Sequence, residues 1–331
     1  MILAAARAET RANITSAPQG APRVVVVAGP TATGKSELAL ALAEELGGVV
    51  INADSQQRYR DFPILTAQPS AADRTRAPHV LFGDLDAADI GNAVEWAAKA
   101  AAAVAAAQTA GQVPIVVGGT GLYLRTLMQG MSDIPPIPED IRAAGRMRLA
   151  KLGNAAFHRM LVARDPVSAA RIPVGNTQRL ARAWEVIEAT GTPLAVWQET
   201  PPRPALAAAY FSVLIMPPRE EIVAACAARF AAMLSTGALD EVAAAAAKGI
   251  PTAAPAMNAL GARELADHLS GRLTLEAAIA GAEIATRQYA KRQATWFRNQ
   301  FKSDLLLPER YRAALYDAVA EPVRNFVKER T

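Results

Sequence analysis

The chain has 331 residues, of which 51% are hydrophobic and 20% are charged, and this composition excludes a largely disordered protein. The formal net charge is only +4, so a strongly basic surface must come from local clusters. A single cysteine, Cys226, excludes an internal disulfide and indicates a reducing, cytoplasmic location. The apolar runs are too short or too weakly hydrophobic to span a membrane, and we expect no membrane association.

Residues 1–22 contain charged side chains followed by prolines and a glycine. They do not have the apolar centre and cleavage pattern of a signal peptide. We therefore expect a mobile N-terminal extension, and the first structural element is predicted to begin at residue 23.

The first strong pattern is a β-branched strand, Val24–Val27, followed by a glycine-containing loop and a helix predicted from Glu37 to Leu46. The loop reads Gly29-Pro30-Thr31-Ala32-Thr33-Gly34-Lys35-Ser36, which has the G-x-x-x-x-G-K-S spacing of a phosphate-binding loop. Its glycines let successive N–H groups point at an anion, Lys35 adds a positive charge, and Ser36 can hold Mg²⁺. The pattern leaves open whether the phosphates belong to a nucleotide.

Two further buried strands, Gly48–Asn52 and Pro114–Val117, are each followed by residues suited to a site. Asp54 follows the first strand, and Gly118-Gly119-Thr120 follows the second. The carboxyl ends of parallel strands share one edge of a sheet, so both places are expected beside the P-loop. Asp54 there can bind Mg²⁺, act as a general base or cap a turn. Thr120 can offer a hydroxyl to a ligand or belong to a tight turn.

Alternating strands and helices through about residue 125 predict an α/β fold of the P-loop NTPase-like class, with a parallel sheet flanked by helices. A short strand at residues 80–82 and a helix at 92–107 belong to this alternation. A proline cluster then introduces arginine-rich helices over residues 139–189, before a strand returns at Tyr210–Met216. This order predicts a core at 23–123, an inserted helical domain at 124–205, and a return to the core at 206–331. Helices are predicted in this last part at 219–235, 238–247, 261–269, 274–301 and 309–328.

Basic residues concentrate in two predicted helical regions, one between Glu139 and Arg182 and one after residue 286. In the second region Arg287, Lys291 and Arg298 recur at helical spacing and interleave with aromatic residues. Cations beside stacking-capable aromatics are typical of surfaces that recognise single-stranded or loop RNA. A solvated helix face, with the aromatics packed in the core, accounts for the same pattern.

Five segments in order resemble the tRNA dimethylallyltransferase family and span roughly residues 23–302. They are the P-loop, Asn52–Arg60, Val117–Tyr123, Gln178–Arg182 and Thr286–Arg298. The P-loop occurs in many enzymes, whereas five segments in this order are specific. The resemblance implies transfer of a dimethylallyl group from dimethylallyl diphosphate to the exocyclic N6 amine of the tRNA adenosine 3′-adjacent to the anticodon. It also implies tRNAs that read codons beginning with U.

The resemblance further implies roles for single residues. Gly29, Pro30, Thr31, Ala32, Thr33, Gly34, Lys35 and Ser36 would bind the diphosphate, with Mg²⁺ as cofactor on Ser36. Asp54 would be the general base and Thr120 would orient the amine, while Lys35 and Arg229 would stabilise the departing diphosphate. The inserted domain would bind tRNA, and the protein would be a monomer. The residues expected at the anticodon stem-loop are Asp54, Ser55, Gln56, Gln57, Thr120, Arg142, Gln178, Arg179, Leu180, Ala181, Arg182, Arg263, Arg287, Lys291, Arg292 and Arg298.

The chain departs from the usual family pattern at Gln56, where methionine is common, and along residues 60–69, and also at Ala225 and Ala262. These departures concern RNA affinity and target preference rather than the reaction. Two other functions fit parts of the sequence. One is a small-molecule kinase that uses ATP at the same loop, and the other is a P-loop RNA-binding protein without catalysis.

Overall fold

The fold is taken from a computed structural model, which describes residues 20–329. The extension expected at residues 1–22 therefore lies almost entirely outside the described residues. Within the described residues, six strands form one parallel sheet in the order β3-β2-β4-β1-β5-β6. The strands are β1 Arg23–Ala28, β2 Gly48–Asn52, β3 His79–Val80, β4 Val113–Gly118, β5 Ala209–Ile215 and β6 Leu305–Leu307.

Helices cover the sheet and supply the other regular elements of the described chain. They are α1 Lys35–Leu46, α2 Ala71–Arg76, α3 Ala93–Thr109, α4 Gly121–Gln129, α5 Glu139–Arg164, α6 Pro166–Ala170, α7 Thr177–Thr190, α8 Leu194–Trp197, α9 Arg219–Ser235, α10 Ala238–Ala247, α11 Ala262–Leu269, α12 Leu275–Gln300 and α13 Tyr316–Lys328. Short 3₁₀ turns lie at Pro255–Asn258 and Ala313–Leu315. Between residues 20 and 329, a membrane-spanning length of apolar sequence is reached only by α9 and α10 together, which meet at a bend of 61°.

The position of β1 in the sheet explains its run of four valines. β1 lies between β4 and β5, and each of Val24–Val27 is fully buried. A central strand of a parallel sheet is covered on both faces, so it favours continuous β-branched residues over alternation. The register pairs Ala28 with Gly118 and Asn52 with Val117. The segments that follow β1, β2 and β4 consequently all leave the sheet on the same side, at the carboxyl ends of these strands.

The structure confirms the α/β class and differs from the predicted elements at several places. Strand β6 was not predicted, because three leucines are too few to establish a period. Helix α4 begins inside a glycine-rich segment that resembles a turn in sequence. The helix predicted over 309–328 begins only at Tyr316, because residues 308–312 run alongside the P-loop instead.

The chain divides into two compact units. The first contains the described residues up to Met128 and from Ala205 onward, and the second is Gln129–Pro204. In the second unit α5 is interrupted at Gly153, where φ is 69°. Its core contains Phe157 and Trp184, which are fully or almost fully buried and pack α5 against α7.

A buried ion pair fixes the chain that follows β2 in the first unit. Arg58 has no exposed surface, and its Nε and Nη2 donate to the two oxygens of Asp84 at 2.8 and 2.7 Å. Burial opposes ionisation of Asp84, but the hydrogen bonds from Arg58 and Lys99 hold its pKa below the ordinary value. Tyr123 lies 3.4 Å from Arg58 and stacks on Trp96. The loop between β2 and α2 is thus anchored to α3 and α4.

Replacing Arg58 with alanine is expected to lower the free energy of unfolding by about 3–5 kcal/mol, because the half-buried Asp84 carboxylate loses its bidentate partner and keeps only Lys99. Chemical denaturation measures this change. Arg60→Ala is the matched control, since the pair between Arg60 and Asp86 is exposed on both sides and should contribute less than about 1 kcal/mol. A loss at Arg58 no larger than the control would contradict the assignment.

Candidate functional site

The P-loop connects β1 to α1 and requires glycine at its two ends. Gly29 has φ 152°, and a Cβ there would lie 2.4 Å from the carbonyl oxygen of Ile215. Gly34 has φ 88°, caps α1, and lies against the carbonyl of Tyr311. Ala32 also adopts a positive φ of 61°. The loop is therefore folded into a conformation that most residues at positions 29 and 34 would prevent.

Three carbonyl groups of this loop accept hydrogen bonds, one from side chains of the loop itself and two from residues 310 and 311. Pro30 O accepts from the Thr33 hydroxyl at 3.0 Å and from Lys35 Nζ at 3.1 Å. Ala32 O accepts from Arg310 Nε, and Thr33 O accepts from the Tyr311 N–H, each at 3.0 Å. Among residues 20–329, the backbone N–H groups of residues 32–36 have no hydrogen-bond acceptor. Free amides at the start of a helix form an anion-binding site.

Lys35 and Arg229 supply positive charge beside this loop. Lys35 is 8% exposed, and burial lowers its pKa to about 8, while the nearby Asp54 opposes the shift and Arg229 adds to it. Burial also lowers the pKa of Arg229, again against the effect of Asp54. Arg229 Nη1 reaches the Thr31 hydroxyl at 3.4 Å. Two cations and one carboxylate thus share a partly desolvated region that favours a bound anion.

Asp54 and Thr120 lie at the neighbouring strand ends, as predicted from their positions. Asp54 Oδ1 accepts from the N–H of Gln56 at 3.0 Å, while Oδ2 has no partner in the described part of the chain. The Thr120 hydroxyl accepts from the Ser55 N–H at 2.9 Å, and the backbone N–H of Thr120 donates to the carbonyl of Ala53 at 3.1 Å. These bonds join the segments after β2 and β4, and they leave one oxygen of Asp54 available.

A cavity opens beside these groups. Polar and charged side chains in its lining include Thr31, Asp54, Arg229 and Tyr289. The apolar part of the lining consists of Leu65, Phe230, Met233, Leu260 and the buried Cys226. Ligand pockets commonly have this mixture of apolar side chains with a few polar groups. The cavity therefore suits a molecule with an anionic end and a short hydrocarbon end.

The segment after β2 supports one wall of the cavity. Gln57 Nε2 donates to the carbonyls of Thr66 and Ala67 at 2.9 and 2.8 Å. From α10, Glu241 accepts from two successive backbone N–H groups, those of Ile64 and Leu65, at 2.7 and 2.9 Å. In this structure the Gln57 amide nitrogen is thus bonded within the protein, and the atypical 60–69 segment is held at its central residues, 64–67.

Helix α12 has two different faces. Its inner face is buried and includes Gln293 and Phe297, and Tyr289 reaches the cavity from the same side. Burial is the largest of the effects that raise the pKa of Tyr289, which lies beside Thr120. The predicted basic residues are all exposed: Arg287, Lys291, Arg292 and Arg298. The guanidinium of Arg292 also lies over the ring of Tyr289, 5.7 Å from its centroid. Arg263, on the neighbouring α11, is also exposed and donates to Asn258.

The remaining residues predicted to bind RNA belong to the second unit. Gln178 and Arg179 are exposed at the start of α7, and Arg182 is half-buried near Glu185. The Nε atom of Arg142 is buried without an acceptor among the described residues. Leu180 is fully buried in the core of this unit, so its side chain is not available to a ligand, and Ala181 beside it is half-buried.

Sequence reasoning assigned no role to Tyr289, Gln293 or Arg310, although each touches the site. Tyr289 and Gln293 are four residues apart, which places them on one helix face, away from Arg287, Lys291 and Arg298. This spacing could have indicated that Tyr289 and Gln293 lie together on the inner face of α12. Nothing in the local sequence indicates that Arg310 reaches the P-loop, because that contact joins residues 278 positions apart.

Two family models match the chain. The model described as IPP transferase matches residues 57–300, and the one described as isopentenyl transferase matches residues 22–84. The tRNA dimethylallyltransferase of Paramagnetospirillum magneticum is 50% identical over 301 residues, which cover 91% of this chain and 96% of that protein. The tRNA dimethylallyltransferase of Rhodospirillum rubrum is 45% identical over 313 residues, covering 94% and 96% respectively.

Solved structures show the same fold. A eukaryotic dimethylallyltransferase described as acting on tRNA matches with a TM-score of 0.78 and 26% identity, over 94% of this chain and 80% of that chain. The tRNA isopentenylpyrophosphate transferase of Bacillus halodurans matches with a TM-score of 0.66 and 29% identity, over 93% and 97%.

The affinity of the site for inorganic pyrophosphate is expected to fall as pH rises through about 8. Burial lowers the pKa of Lys35 to about 8, so its positive charge is present below this pH and lost above it. Calorimetric titration between about pH 7 and 9.5 tests this, with Lys35→Met as the reference. The variant should bind more weakly and lose this component of the pH dependence. Identical pH profiles for the two proteins would contradict the assignment.

Proposed function

Because the chain belongs to the IPP transferase family, we propose that it transfers a dimethylallyl group from dimethylallyl diphosphate to tRNA. The acceptor is the exocyclic N6 amine of the adenosine 3′-adjacent to the anticodon, in tRNAs that read codons beginning with U. The observation that carries this proposal is a cavity lined by Asp54, Thr31 and Arg229 together with several apolar side chains.

The P-loop is suited to hold the diphosphate of the donor. Its free amides at residues 32–36 supply hydrogen bonds, and Lys35 and Arg229 supply charge. As the carbon–oxygen bond of the donor breaks, negative charge develops on the departing diphosphate. Donors and cations already in place stabilise that charge without reorganising.

Asp54 is the proposed general base. The adenine amine is a weak nucleophile, because its lone pair is delocalised into the ring. The amine nitrogen forms a bond to the allylic carbon, the bond between that carbon and the diphosphate oxygen breaks, and the amine proton passes to Asp54 Oδ2. Thr120, whose hydroxyl lies beside Ser55, is placed to orient the amine. The apolar wall of Leu65, Phe230 and Met233 holds the hydrocarbon and excludes water.

Mg²⁺ is the proposed cofactor. The Ser36 side chain is exposed at the first turn of α1, next to the free amides of the P-loop. A single hydroxyl with substrate phosphate oxygens and water forms a coordination set that Mg²⁺ commonly accepts. When bound there, the ion would neutralise charge on the diphosphate.

The exposed cations of α12 and of the second unit are proposed to bind the anticodon stem-loop. The target base is stacked within that loop and must be extruded to reach a cavity, which costs a few kcal/mol. Phosphate contacts from Arg287, Lys291 and Arg298 offset this cost. We further propose that the protein acts as a monomer in the cytoplasm.

Incubation with labelled dimethylallyl diphosphate, Mg²⁺ and unmodified tRNA tests the function, and nucleoside analysis identifies the product. The expected product is N6-dimethylallyladenosine at the position after the anticodon. Label transferred from the γ-phosphate of ATP to a small alcohol, with no modified nucleoside, would instead indicate a kinase. Binding of tRNA without either product would indicate an RNA-binding protein.

Asp54→Asn is expected to reduce the rate of prenyl transfer by about 10²–10⁴-fold, because the amide keeps the shape of the side chain but accepts no proton. Binding of tRNA should be unchanged, since the basic surfaces are intact. Asp240→Asn, an exposed change on α10, is the control. Turnover by Asp54→Asn at the rate of the control would remove the base assignment.

Replacing Arg287 and Lys291 with glutamine is expected to weaken tRNA binding and to reduce the slope of log affinity against log salt by about 1 for each phosphate that the variant no longer neutralises. Titrations at several salt concentrations measure both quantities, and pyrophosphate binding should not change. Arg324→Gln, in an ion pair with Glu45, is the control. An unaltered salt slope would show that these cations do not bind RNA phosphates.

A further inference from the structure

Gln293 connects α12 to the two halves of the candidate site. Its side chain is 6% exposed, and both ends of its amide group are bonded to backbone atoms. Oε1 accepts from the N–H of Thr31 at 2.9 Å, and Nε2 donates to the carbonyl of Gly119 at 2.9 Å. One side chain therefore bridges the P-loop and the end of β4.

The two partners of Gln293 border the reacting groups. Thr31 lines the cavity, and its hydroxyl meets Arg229. Gly119 immediately precedes Thr120, whose hydroxyl lies beside the segment that carries Asp54. The amide of Gln293 consequently sets the separation between the loop that would hold the diphosphate and the hydroxyl that would orient the amine.

The bridge needs an amide at this position. Thr31 offers a donor and Gly119 offers an acceptor, so the side chain must present an acceptor to one and a donor to the other. Among side chains of this length, glutamine does both without a change of protonation state, whereas glutamate must first be protonated. Space is also restricted, because a Cβ at Gly119 would lie 2.3 Å from Nε2. These two hydrogen bonds determine which way the amide group points: its oxygen faces the N–H of Thr31 and its nitrogen faces the carbonyl of Gly119.

The same helix carries the exposed cations on its other side. Gln293 lies two residues after Lys291 and five before Arg298, so the inner bridge and the basic surface belong to one rigid element. The contact of Trp296 with Gly121, where a Cβ would lie 2.1 Å from the indole ring, fixes α12 against the start of α4. A shift of α12 would therefore move the P-loop and Thr120 together.

We propose that Gln293 is a positioning residue for prenyl transfer, which holds the diphosphate loop and Thr120 at the separation that the reaction requires. This inference rests on the proposed function. It assigns no proton transfer to Gln293 and no direct contact with substrate. Its effect is on the rate of the chemical step, because misplacement of reacting groups by about 1 Å can slow a reaction by about 10²-fold.

Single-turnover rates with saturating dimethylallyl diphosphate and tRNA test the proposal, because a rate constant does not depend on the fraction of folded enzyme. Gln293→Met keeps the length of the side chain and removes both hydrogen bonds. We expect its rate constant to fall by about 10- to 100-fold, with the tRNA dissociation constant unchanged. Gln300→Met, an exposed change at the end of the same helix, should behave like the unaltered protein.

Gln293→Glu provides a second, independent test. Ionised glutamate accepts from Thr31 but repels the Gly119 carbonyl, whereas protonated glutamate again offers both a donor and an acceptor. Burial raises the pKa of such a carboxyl group. The ratio of its rate constant to that of the unaltered protein should rise as pH falls from about 8.5 to 6, and the ratio for Gln293→Met should stay constant. Using ratios removes the pH dependence that is common to all three proteins.

The possible failures are distinguishable. If the unaltered protein forms no prenylated nucleoside, the proposed function fails. If it is active and both Gln293 variants keep its rate constant while their melting temperature falls, Gln293 only stabilises the fold and the inference is wrong. If Gln293→Met does not fold, a pH-independent ratio for Gln293→Glu still overturns the inference.

Discussion

The chemistry of the site depends on how the carbonyl groups of the P-loop are bonded. The carbonyl and the following N–H of a trans peptide point in opposite directions. Arg310 and Tyr311 bind the carbonyls of Ala32 and Thr33 from outside the loop, so the next two N–H groups face the other way. These amides are oriented before an anion arrives, and binding requires little rearrangement. The geometry of this candidate anion site thus depends on the distant segment 308–312 as well as on the loop itself.

The charges around the loop have a common explanation. Lys35 and Arg229 lie where water solvates them poorly, and this burial lowers the pKa of each. Asp54 offsets this effect for both. A diphosphate would compensate the two cations more completely, and it would leave Asp54 free to take a proton from a nucleophile. The same arrangement favours binding of the anion and separation of the base from the leaving group.

Much of the fold and of the candidate site was predictable because its signals are local. The run of valines, the P-loop glycines and Asp54 after β2 each follow from patterns of fewer than ten neighbouring residues. Elements were missed where the signal is short or non-local. Strand β6 has only three residues, and α4 begins within glycines. The cavity walls from α9 and α12 could not be located from spacing alone, because their distance to Asp54 depends on packing.

The sequence by itself determined the parallel sheet, the anion loop at its edge and the basic face of α12, because hydrophobic period, glycine placement and charge are properties of the chain. Only the tertiary structure decided which side chains complete the site. Gln293 is one of several polar residues on α12 in sequence, and it becomes the bridge between Thr31 and Gly119 through helix packing. Hydrogen bonds between residues far apart in the chain depend on where whole elements pack, and local patterns carry no information about that.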